Sequence, residues 1–212
     1  MPGDLLAGLN VVDAAFHLKD NRRMSQARSG LINPGAYGAR PWVGTYTLQD
    51  MDFATGRRAM HLLHGAQEAG YTFRAYSFRC EYLQNDPGGL LAASWLARFE
   101  LETVTQGDTV RVLGVPEAFE FLPGDRLSYS FGVAPERFFL HEVYEVGGYD
   151  NVAGSRTLRV RGFVPAGIPA DTQITFSRAA CEAIVVPGSV QMPRENLDRW
   201  TGGKFDFVQA IQ

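Results

Sequence analysis

The stretch 123-PGDRLSYSFGVAPERFFLHEVYEV-146 opens on a tight turn and runs on as two apolar-rich strands joined by a short loop. Pro123 sets φ, Gly124 tolerates a positive φ, and Asp125 can bond back to the backbone. That is type II turn chemistry feeding a strand. Leu127 and Tyr129 then alternate with Ser128 and Ser130. In the next strand Phe139, His141, Val143 and Glu145 share one face, while Phe138, Leu140, Glu142, Tyr144 and Val146 share the other. The adjacent His141 and Glu142 therefore point to opposite sides of the sheet and cannot serve one substrate atom. The stretch reads as a β wall rather than the floor of an active site.

The same alternation recurs outward from it. At 42-WVGTYTLQ-49, Trp42, Gly44, Tyr46 and Leu48 fall on one face of an aromatic, β-branched strand. Further strands are expected at 71–78, 91–104, 109–115, 156–164, 173–177, 181–186 and 204–211. Turn signals separate them at 85-NDPGG-89, 106-QGD-108, 134-APE-136, 147-GGYDNVAG-154 and 165-PAGIP-169. One segment changes period. In 52-DFATGRRAMHLLHGAQEAGY-71, Ala59, Met60, Leu62, Leu63 and Ala66 recur at helical spacing, with Asp52 or Thr55 as cap and Gly70 after the end. Residues 1–41 show no clean period and read as an N-terminal arm, an extended segment with room for one short strand. The expected fold is mainly β, of sandwich or barrel type, with a single packed helix. It divides into two parts. Residues 42–106 and 187–212 form one β part with the helix, and 107–186 form a small barrel-like part.

Composition narrows the chemistry. The chain has 212 residues, 45% hydrophobic, and a net charge of −3, which gives no support to capture of nucleic acid through phosphates. No apolar run approaches the ~20 residues that span a bilayer. The N-terminus lacks a basic leader and is interrupted by Asp4 and Asp13, so it does not read as a signal peptide. Cys80 and Cys181 lie far apart and outside any CxxC pair, and they read as small buried hydrophobes whose pairing stays open.

Candidate catalytic groups do not assemble. His61 and His64 share a helix face, but a metal needs a further ligand, and Glu68 is the only local one. They read as the polar flank of the helix. There is no G-x-S-x-G, no dinucleotide fingerprint and no P-loop. Glu117, Glu120, Glu142, Glu145, Asp150 and Asp171 are too scattered for the sequence to select an acid–base pair. No catalytic, cofactor-binding or metal residue is expected.

The order of elements resembles a family. A Trp-led strand, a capped helix and an aromatic strand (42–78) come first. A PGD strand (123–129), the strand 139–146, an acidic glycine turn (149–160), a proline-bounded strand (163–176) and a terminal strand (204–212) follow. Over about residues 40 to 212 this resembles the distal tail protein of long-tailed bacteriophages and gene-transfer particles. The resemblance implies a hexameric ring at the virion tail tip, made in the host cytoplasm, with a belt from the N-terminal half and a smaller outward β domain. Its neighbours would be the tail tube protein, the hub and the tape-measure protein, with DNA passing through unread. It carries over no catalytic residues. A modestly negative chain suits such a channel, whereas the basic stretch 19-KDNRRMSQARSG-30 suits a partner better than the lumen. Two other readings stand beside it. One is a monomeric carbohydrate-binding sandwich with Trp95 and Trp200 as stacking platform. The other is an enzyme with His141, Glu142 or His64 as general base.

Overall fold

The structure, a computed structural model, describes residues 4–26, 32–36, 40–89, 99–105, 108–117, 119–132, 136–151, 154–162, 164–165, 167–195 and 199–211. In chain order its strands are β1 (Val11–Leu18), β2 (Arg22–Gln26), β3 (Ile32–Ala36), β4 (Trp42–Leu48), β5 (Phe73–Tyr76), β6 (Glu100–Thr105), β7 (Thr109–Leu113) and β8 (Arg126–Phe131). They continue as β9 (Arg137–Asp150), β10 (Ser155–Arg161), β11 (Thr172–Thr175), β12 (Ala180–Val185), β13 (Arg194–Glu195), β14 (Trp200–Thr201) and β15 (Lys204–Gln209). A single α-helix among the described residues, α1 (Phe53–Ala66), lies between β4 and β5. The protein is mainly β.

Two bodies share the strands. β1, β4, β15, β12 and β5 form an antiparallel sheet in that order, and β10, β7, β6, β11, β8 and β9 close into a barrel. The alternation in 42–49 is observed as expected: Trp42, Gly44, Tyr46 and Leu48 are buried between half-buried neighbours. Their inward faces meet Phe73, Phe205 and Phe207 in one aromatic core. Gly44 is required there, since a Cβ would stand 2.0 Å from the Ala15 carbonyl oxygen and 2.7 Å from the Phe207 ring. The barrel has its own core of Phe99, Leu101, Val110, Val112, Leu127, Tyr129 and further apolar side chains.

The opening turn is built as its residues demand. Asp125 N–H donates to the Leu122 carbonyl at 3.0 Å across Pro123 and Gly124, and Gly124 takes φ of 96°. Asp125 Oδ2 accepts from Leu122 N–H at 2.7 Å. The α-helix starts where expected, with Asp52 accepting from Thr55 N–H at 2.8 Å. Gly56, Ala59, Leu63 and Ala66 form its buried stripe.

Three boundaries differ from the sequence reading. The first concerns the arm. Leu5, Leu6 and Leu9 are buried in the sheet core, and β1 pairs with β4 from Val11↔Leu48 to Leu18↔Trp42. Where the sequence pattern allows one short strand, three form, and the burial of β1 is set by its neighbours. β2 and β3 pair with each other and, like β13 and β14, with no other strand among the described residues. The second is the division of strands. β6 lies in the barrel and β12 in the sheet, so the barrel occupies roughly 99–176 rather than 107–186. Hydrogen-bond partners far along the chain decide this, and local pattern does not encode them. The third is the glycine turn at 147–154. β9 runs through Gly147 and Gly148 to Asp150, with the ladder to β10 shifting register there. A Cβ on Gly147 would lie 3.0 Å from the Thr157 carbonyl oxygen, so these glycines serve a bulge rather than a turn. Of the expected strand 91–104, residues 91–98 lie outside the described residues, as does Trp95.

Candidate functional site

The two bodies are joined along β8 and β9, the strands of the 123–146 stretch. Positions 126–129 of β8 are buried on both faces. Leu127 and Tyr129 enter the barrel core, while Arg126 faces the sheet. On β9 the same split holds: Phe139 and Val143 belong to the barrel core and Leu140 to the sheet core.

Arg126 makes the joint charged. Its guanidinium lies 4.9 Å from the Trp42 ring and 5.0 Å from the Phe16 ring, within cation–π range of both. Among the described residues its Nε and Nη1 have no hydrogen-bond partner, and Glu142 approaches only to 3.9 Å. Trp42 Nε1 donates to the Leu140 carbonyl at 2.8 Å, a direct bond from sheet to barrel wall. Gly162 completes the contact at φ of 115°, where a Cβ would stand 2.9 Å from that same carbonyl oxygen and 3.2 Å from His141 Nδ1.

His141 lies on the barrel side of this wall, fully buried, with Nε2 2.9 Å from the Tyr129 hydroxyl and its ring stacked on that phenol. Burial pushes its pKa down from 6.5 to about 3, so it is neutral at ordinary pH and shut away from solvent. Glu142 points the other way, 3.6 Å from Arg161. The pair is thus divided between the two faces of the wall, as the alternation requires.

The other candidates are dispersed. His61 and His64 are exposed on α1, and Glu68 follows the helix end, exposed. Among the described residues no three His, Cys, Asp or Glu side chains are grouped to hold a metal. Glu145 and Asp150 are held by Arg159 at 2.8 Å and Arg111 at 2.6 Å. Glu117 and Glu120 are exposed in the β7–β8 connection and Asp171 at the turn before β11. Cys80 and Cys181 are both free thiols. Cys181 is fully buried, and burial pushes its pKa well above the ordinary thiol value, which removes it as a nucleophile. Trp200 is half-buried against α1. A Cβ on Gly56 would lie 2.5 Å from its ring, so that face is used by the helix.

The sequence reading passed over Arg126 and Gly162. Their one legible signal was an arginine at an otherwise buried strand position and a glycine closing a strand. Neither protein-family models nor curated proteins include a match to this chain. Among the described residues no helix is long and apolar enough to cross a membrane.

Proposed function

We propose that this chain is a distal tail adaptor, a structural protein of a long-tailed phage or gene-transfer particle that assembles as a ring. The ring joins the tail tube protein to the hub of the tip, contacts the tape-measure protein, and lets DNA pass without reading it. The observation that carries this reading is the five-stranded sheet, in which β1 and β5 each have a strand neighbour on one side only among the described residues. Such edges can pair with a neighbouring copy, and a head-to-tail contact that closes is a ring.

Two features support it. The β2–β3 hairpin pairs with no other described strand, and isolated two-stranded hairpins are marginal in water, so a neighbouring subunit is a natural support. The buried joint between sheet and barrel, tied by the Trp42–Leu140 bond, suits a part that transmits load.

The test is size-exclusion chromatography with light scattering, then negative-stain electron microscopy of the purified chain, alone and with its tail tube protein. Rings with a central hole are expected. Monomers at every concentration, and with the tube protein present, would overturn the reading.

A further inference from the structure

A cleft between the β5–β12 edge of the sheet and the β8–β11 wall of the barrel is used by none of the groups above. Its two adjoining parts share Arg74, Arg178 and Ala180 as walls. The smaller, about 310 Å³, is lined on the barrel side by Ser128, Ser130, Gln173, Thr175 and Phe138. The larger, about 480 Å³, runs toward Asp4 and Tyr76.

Arg74 is uncommitted among the described residues, and Arg178 is engaged only in part, by Glu81. The Arg74 guanidinium lies 4.1 Å from the centroid of the Phe138 ring. Stacking occupies one face of that planar group and leaves its in-plane N–H donors uncommitted. No ion pair among the described residues engages Arg74, although Glu182 stands opposite it in the ladder. Arg178 commits Nε to Glu81 and keeps its Nη groups. It does so from a φ of 48°, a left-handed conformation that a long side chain rarely adopts and that tends to mark functional positions.

Charge separates the two halves. Asp4 faces the larger part and repels an anion there. The lining of the smaller part contains two arginines, the hydroxyls of Ser128, Ser130, Thr175 and Ser177, one amide, and no carboxylate. Ser130 Oγ already donates to Glu136 at 2.7 Å, so three hydroxyls stay available.

We infer that the smaller cavity binds a small hydroxylated oxyanion, a sugar acid or a sugar phosphate. Arg74 and Arg178 take the anionic group through charge-assisted bonds, and Ser128, Thr175, Ser177 and Gln173 take the hydroxyls. The inference is independent of the ring reading, since either stands if the other falls.

Isothermal titration of the intact chain tests it, with glucuronate and glucose phosphate as probes. Inorganic phosphate and a triglutamate peptide serve as comparisons. Either sugar anion is expected to bind more tightly than both comparisons. Arg74→Gln or Arg178→Gln should weaken that binding about tenfold or more, the loss of one charge-assisted contact. Arg159→Gln, which removes a guanidinium already held by Asp108 and Glu145, should leave it unchanged. No binding of either sugar anion at millimolar concentration overturns the inference. So does equal loss in Arg159→Gln, or a comparison probe binding as tightly as the sugars.

Discussion

Gly162 and His141 are close neighbours at the barrel wall, and each has a measurable consequence. At φ of 115° an L side chain is strained, and a Cβ would press on the Leu140 carbonyl oxygen at 2.9 Å. Gly162→Ala is therefore expected to destabilise the protein by about 1–3 kcal/mol, read as a lower midpoint in urea with the slope unchanged. His141 acts through pH. Its folded pKa, about 3, lies below the unfolded value of 6.5, so the unfolded chain binds the extra proton between these values. Stability from this group is complete above about pH 6.5 and falls as pH drops toward 3, at up to about 1.4 kcal/mol per unit. Replacing it by His141→Gln should flatten the pH dependence of the melting temperature in that window. An unchanged slope would mean that other groups set the acid response.

At the scale of elements, α1 and the β14 strand are locked by one glycine. Gly56 lies under the Trp200 ring, which a Cβ would approach to 2.5 Å. Alanine is normally the better helix former by about 1 kcal/mol. Here the clash outweighs it, and Gly56→Ala is expected to lower stability. In a Trp200→Ala background the clash is gone, and the same change should raise stability. A double-mutant cycle in urea with this change of sign confirms the contact, and additivity refutes it. The helix itself was legible from its period and its Asp52 cap. Gly56 was not, because an isolated glycine in a helical pattern carries no sign of what crosses above it.

The whole molecule depends on how the barrel is held to the sheet. Trp42 Nε1 bonds to the Leu140 carbonyl, and Arg126 lies against the Trp42 and Phe16 rings. Trp42→Phe keeps an aromatic ring but leaves that buried carbonyl without its donor, at about 1–3 kcal/mol. Faster amide exchange is expected along β8, β9 and β12, while the exchange of β6 and β7 on the far barrel wall stays the same. Uniform acceleration would show that the joint is inseparable from the global fold. The same scale accounts for residues 1–18. With Leu5, Leu6 and Leu9 in the core, deletion of residues 1–18 is expected to unfold the chain, read as loss of a cooperative urea transition.

Period and turn chemistry, both local, determined from the sequence alone that the protein is mainly β with one helix. They also determined that 123–125 turns into a strand and that His141 and Glu142 face apart. Backbone dihedrals and side-chain alternation depend on near neighbours, so a linear reading reaches them. Only the tertiary structure decided that β6 belongs to the barrel, that β12 belongs to the sheet, and that β8 is buried on both faces. The same holds for the Arg126 joint and for the cleft at Arg74 and Arg178. Each of these rests on residues that are distant in sequence and close in space. Which strand a given strand pairs with, and what covers its outer face, is set by packing of the whole chain.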